Sequence, residues 1–181
     1  MIKRYLRPTL LLALLVLCYG QTAQAASFSA SEVKLKIALL YNFAKFIEWP
    51  ENRFQEKNTP VTLCIYAEEQ YVKAAKGVAN KPVQKNRSLA VVTVSAESNL
   101  SVCHVIFLSQ ATTDTLKEIP EQLLSSATLT VGESDAFIAY GGIINLIELN
   151  KKIRFEINRK AAESLSLKIS SKLLRLAKEV Y

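Results

Sequence analysis

The sequence predicts an α/β domain: a layered fold with a mostly parallel central sheet flanked by helices, plus a C-terminal antiparallel hairpin. Three observations predict it. The runs VTLCIY (Val61–Tyr66) and CHVIFL (Cys103–Leu108) are rich in β-formers and lack polar alternation, as strands covered on both faces do. Such runs alternate along the chain with segments of helical periodicity, the pattern of layered α/β folds. Near the C-terminus the pattern changes. There Ile153, Phe155 and Ile157 alternate strictly with Arg154, Glu156 and Asn158, which reads as a half-exposed strand of a hairpin.

The chain has 181 residues and a formal net charge of +7. Residues 1–25 have the form of a secretory signal peptide. Lys3, Arg4 and Arg7 supply the basic region, Leu10–Leu17 the apolar run, and Ala23-Gln24-Ala25 a cleavage site. The run is too short to span a bilayer. Leu17 precedes Cys18 where a lipidation signal has a small residue, so lipidation is not expected. Removing the leader leaves one domain over residues 26–181, of about 155 residues. Its net charge is about +4, too mild an excess to imply nucleic-acid binding. The expected location is the periplasm.

The first mature helix is read over Lys34–Pro50, entered through a Ser29/Glu32 capping box and ended by Trp49-Pro50. It carries two apolar stripes. Val33, Ile37, Leu40, Tyr41, Ala44 and Ile47 form one, and Leu35, Leu39, Phe43 and Phe46 form the other. A helix packed once on a sheet needs a single stripe. Either another helix of the domain or a second protein chain must cover the second. Glu51–Pro60 is a polar loop before the Val61–Tyr66 strand. Glu68–Ala79 reads as a helix, Asn80–Asn86 as a surface connection, and Ser88–Val94 as a strand. Ser95–Ser101 is a loop before the Cys103–Leu108 strand. Thr112–Ser125 reads as a helix interrupted by Pro120, and Ala127–Val131 as a strand. Ser134–Tyr140 reads as a short helix that Gly141-Gly142 closes. Ile143–Leu149 and Lys152–Asn158 flank the tight turn Asn150-Lys151. Arg159–Ser164 and Ser170–Glu179 are the last helices.

No catalytic constellation emerges. The single histidine, His104, adjoins Cys103 in a strand-like run, where neighbours point to opposite faces and cannot form a nucleophile–base pair. No metal-ligand spacing, phosphate-cradling glycine loop or nucleophile elbow is present. No enzyme activity, cofactor or metal is expected. Gly132, Glu133 and Ser134 lie at a strand-to-helix turn, where α/β sheets bind ligands, and form a weak candidate ligand site. Cys64 and Cys103 are a disulfide candidate in an oxidising compartment, the alternative being two separate buried thiols.

Several stretches together resemble the YfiR family, also called YfiR/HmsC-like or DUF4154. They are ALLYNFAKFIEWP (Ala38–Pro50), Cys103-His104-Val105, LTVGESDAF (Leu129–Phe137), Gly141-Gly142-Ile143, IRFEIN (Ile153–Asn158) and ISSKLLRLA (Ile169–Ala177). The resemblance implies a periplasmic repressor that binds the periplasmic domain of an inner-membrane diguanylate cyclase of the YfiN kind. It lowers cyclic-di-GMP and biofilm formation, and an outer-membrane lipoprotein of the YfiB kind can sequester it. A Cys64–Cys103 disulfide is also implied. Some members carry a second cysteine pair, which this sequence lacks. Aromatic anchors carry most of the energy at interfaces. Phe43, Phe46 and Trp49, with Leu39 beside them, are therefore the expected partner contacts, and Arg154 and Arg175 the polar ones. A homodimer is left open. The alternative function is a periplasmic small-ligand binding module without catalytic activity.

Overall fold

A computed structural model describes residues 29–84, 86–109 and 121–181. The expected leader and residues 112–120 of the expected Thr112–Ser125 helix lie outside the described residues.

The fold class is that read from the sequence: a mixed α/β layered fold with a mostly parallel sheet. Helix α1 (Ala30–Phe46) begins at Ser29, whose hydroxyl accepts the amide of Glu32. Glu32 in the first turn and Lys45 in the last both complement the helix dipole. The helix ends three residues before Trp49, because Ile47 is already extended. Strand β1 (Ile47–Glu48) pairs antiparallel with β9 (Lys168–Ile169). Then follow β2 (Val61–Tyr66), α2 (Glu69–Ala75), β3 (Pro82–Gln84), β4 (Arg87–Thr93), β5 (Val105–Leu108), α3 (Glu121–Ser125) and β6 (Leu129–Gly132). The chain closes with β7 (Ile144–Leu149), β8 (Lys152–Ile157), α4 (Arg159–Ser164), β9, α5 (Ser171–Leu176) and β10 (Glu179–Val180).

The main sheet has eight strands in the order β10-β8-β7-β6-β5-β2-β4-β3. Strands β4, β2, β5, β6 and β7 are successive parallel neighbours. Their carboxyl ends therefore share one side of the molecule, with the order reversal of a doubly wound sheet between β2 and β5. The antiparallel hairpin β7–β8 turns on Asn150 and Lys151, both at positive φ (52° and 59°), as a two-residue primed turn requires.

Side chains of the central strands divide between two cores, as period-2 alternation dictates. Val61, Leu63, Ile65, Val105 and Phe107 pack with α1, α2, α4 and α5. Cys64, Ile106 and Leu108 pack with Leu100, Leu123 and Phe137 on the opposite face.

Beyond the earlier end of α1, further elements differ from the sequence reading. The Asn80–Asn86 connection contains β3, paired antiparallel with β4. Ser134–Tyr140 is a run of turns, because Phe137 is drawn into the second core. The last helix stops at Leu176, and Glu179–Val180 then joins the sheet beside β8. The Cys103–Leu108 strand begins at Val105.

Candidate functional site

The carboxyl end of the sheet is closed by a buried polar network. Glu133 directly follows β6, and its carboxylate pairs with the ammonium of Lys36 from the second turn of α1. Both side chains are 6% exposed. Lys36 also pairs with Glu32 at 2.9 Å, the i,i+4 partner on its own helix. The Tyr71 hydroxyl of α2 donates to Glu133 Oε1 at 3.2 Å, while the ring packs on Phe107 at 5.1 Å. Burial, and then the Glu133 charge, hold the Tyr71 phenol well above its ordinary pKa, so it remains a donor. Two helices thus converge on the carboxylate that follows β6. In the sequence, Lys36 looked like an interruption between apolar stripes. Its spacing from Glu32 was the signal that it belonged to an ion pair.

Outside this network a cleft of about 630 Å³ opens between the start of α1 and the β7–β8 hairpin. Leu35 and Glu32 line one side, and Glu148, Lys151, Lys152, Ile153 and Arg154 the other. A smaller recess of about 100 Å³ shares Glu32, Glu148 and Ile153 with it and reaches Lys36 and Glu133. The ion pair lies at the wall of this recess, which adjoins the cleft at the carboxyl ends of β6 and β7.

Gly132 has a packing role. A Cβ there, or at Gly142, would overlap the Phe137 ring, so the two glycines make the seat on which that ring lies. Ser134 accepts the Phe137 amide through its backbone carbonyl, at 3.0 Å. Of the turn read as a ligand site, Glu133 reaches the recess. Gly132 faces the second core.

At the amino end of the sheet, Cys64 and Cys103 form a disulfide with both residues fully buried. Beside it, the Phe54 ring stacks on His104 at 4.7 Å, and the Arg87 guanidinium lies 3.7 Å from the Phe54 centroid. Thr62 donates its amide to His104 Nδ1, at 3.1 Å, which puts the neutral ring's proton on Nε2. Burial, and then the nearby Arg53, lower the His104 pKa to about 4. The ring is therefore uncharged at neutral pH, and it is a structural part of the stack.

The surface expected on α1 needs correction at two positions. Phe43 is 1% exposed and meets Phe155 edge-on at 5.0 Å, and Trp49 is buried with its indole N–H donating to the His104 carbonyl. The buried arc of α1 runs through Val33, Lys36, Ile37, Leu40, Phe43 and Ala44. Phe43 lies at the border of the two stripes, and β8 claims it for the core. What remains outside is narrower. Leu35 is 49% exposed, and Leu39 and Phe46 are partly buried. Lys172 of α5 sits 5.5 Å from the Phe46 ring. Beside it on α5, Arg175 and Leu176 are exposed, Leu176 at 59%. Arg154 stands apart from Phe46 and α5, at the cleft that Leu35 also lines. Among the described residues, no cluster of His, Cys, Asp and Glu could hold a metal, and no helix is long and apolar enough to cross a membrane.

Fold and site together define a disulfide-bridged α/β domain with a doubly wound parallel sheet and a charged cleft at its carboxyl end. The chain belongs to the DUF4154 family, described as YfiR/HmsC-like, which it matches over residues 33–178. No curated protein matches it at a significant level. Among solved structures it is similar to a conserved domain protein from Vibrio cholerae O1 biovar El Tor (TM-score 0.51, 15% identity, 82% of this chain and 60% of that one). It is also similar to an ABC domain in complex with L-Trp from Streptococcus pneumonia (TM-score 0.50, 11% identity, again 82% and 60%). At these identities the likeness concerns the fold. The chain spans about three fifths of the length of both.

Proposed function

We propose that this protein is a periplasmic repressor that binds the periplasmic domain of an inner-membrane diguanylate cyclase and holds it in its inactive state. The observation that carries the reading is the family match across residues 33–178. The YfiR/HmsC-like family is one of periplasmic regulators in cyclic-di-GMP signalling. The buried Cys64–Cys103 bridge suits an oxidising compartment. Such a repressor acts only through differential affinity for two states of its target, so it needs contact surface and no reactive group.

The contact surface we assign is the outer side of α1 with α5: Leu35, Leu39 and Phe46, flanked by Arg175 and Leu176. Phe43 and Trp49 support it from within. A lipoprotein of the YfiB kind would compete for the same surface.

Deleting the gene in a strain with a functional partner cyclase should raise cyclic-di-GMP and matrix production. Crosslinking in intact periplasm should capture the cyclase, and the pair Leu39→Asp and Leu176→Asp should abolish capture without loss of folded protein. Unchanged cyclic-di-GMP after deletion would refute the assignment.

A further inference from the structure

We infer that the cleft between α1 and the β7–β8 hairpin binds a small amphipathic organic anion, one carboxylate, sulfonate or phosphate group on an apolar body. This goes beyond the repressor reading and does not depend on it.

Place and size come first. At about 630 Å³, the cleft falls in the range of small-molecule sites. It lies outside the carboxyl ends of two neighbouring parallel strands, away from the β2/β5 order reversal: Glu133 follows β6 and Glu148 is near the end of β7. The adjoining recess is lined by the Lys36–Glu133 pair, which Glu32 and Tyr71 hold in place.

Charge gives the sign of the ligand. Among the described residues, Lys151, Lys152 and Arg154 line the cleft with no recorded ion-pair or hydrogen-bond partner for their side chains. Among the described residues, the cleft with its recess holds the acids Glu32, Glu133 and Glu148 against the cations Lys36, Lys151, Lys152 and Arg154, a surplus of one positive charge. The surplus is positive and favours an anion.

The apolar requirement comes from Leu35 and Ile153, on opposite sides of the cleft. Leu35 is among the most exposed aliphatic side chains of the protein, and a ligand body lying between the two would remove it from water. An inorganic anion could answer the cations and would leave these residues wet. A ligand with both parts answers both.

The test uses the protein as exported and purified from the periplasm, with 8-anilinonaphthalene-1-sulfonate as the fluorescent probe. The expected result is saturable binding at one site per chain. It should be displaced by 4-phenylbutyrate, but not by 4-phenylbutylamine or inorganic phosphate at equal concentration. Arg154→Glu and Leu35→Asp should each weaken the probe at least tenfold, while Lys160→Glu, exposed on α4 and outside the cleft lining, should not. Thermal melting of each variant establishes that it is folded. Equal displacement by the amine, full displacement by phosphate, or wild-type affinity in both cleft variants would overturn the assignment. No cyclase enters this assay, so its failure leaves the repressor reading standing, and the reverse holds equally.

Discussion

Replacing Lys36 with methionine removes the ammonium that pairs with the Glu133 carboxylate, and it does so inside the fold. Glu133 is 6% exposed, so water cannot take over the solvation that the ammonium supplied. Breaking a buried pair from one side costs about 3–5 kcal/mol, because the surviving charge stays buried. For a domain of this size that lowers the melting temperature by about 6–20 °C. Glu32 adds little to the loss, since at 28% exposure it can be hydrated. The reciprocal change, Glu133→Leu, strands Lys36 less completely because Glu32 remains its partner. It also removes the acceptor of the Tyr71 hydroxyl, worth about 1–3 kcal/mol if the group stays buried. Removing both charges and the hydroxyl, in Lys36→Met with Glu133→Leu and Tyr71→Phe, should recover most of the stability, because a packed apolar cluster has no desolvation to repay. Urea unfolding of the single, double and triple variants measures the coupling. Additive losses below about 1 kcal/mol for each change would refute the reasoning, since they would mean that the pair is hydrated.

Three further outcomes follow from the same structure. Phe43→Ala should cost about 3–5 kcal/mol in chemical unfolding while Leu35→Ala stays within about 0.5 kcal/mol, because one empties core volume and the other only trims a half-exposed side chain. Cys64 and Cys103 should show no free thiol when the protein is denatured without reductant, and breaking the bridge across its separation of 39 residues should cost about 4 kcal/mol. His104, with its folded pKa lowered to about 4 against about 6.5 unfolded, binds a proton in the unfolded chain before the folded one. Its contribution therefore destabilises the fold progressively as pH falls from about 6.5 towards 4 and is absent above that window. A histidine proton resonance that titrates near pH 6.5 in the folded protein would refute this.

The α/β class, the buried strands Val61–Tyr66 and Cys103–Leu108, and the hairpin at Asn150-Lys151 were legible in the sequence, because each is written in local periodicity or turn chemistry. The two cysteines could be nominated, but their 5.7 Å Cα separation depends on how β2 and β5 lie together. The cleft was hardly legible. Its walls come from residues 29–35 and 148–154, far apart in the chain, and the adjoining recess depends on a lysine within an apolar helix meeting a glutamate after β6. The turn at Gly132-Glu133-Ser134 stood out in the sequence as a strand-to-helix turn. Yet the sequence could not say that its glycine seats Phe137 while its carboxylate holds α1.

By itself, then, the sequence determined the layers, the strand runs, the family signature and the absence of a familiar catalytic motif, all properties of residues near one another along the chain. Only the tertiary structure decided which stripe of α1 is surface. Phe43 stands at the border of both stripes, and burial depends on what packs across from it: β8 supplies Phe155, while among the described residues no comparable cover lies over Leu35. Helical periodicity fixes the angle at which a side chain leaves the helix axis, but the partner at that angle comes from a distant part of the chain.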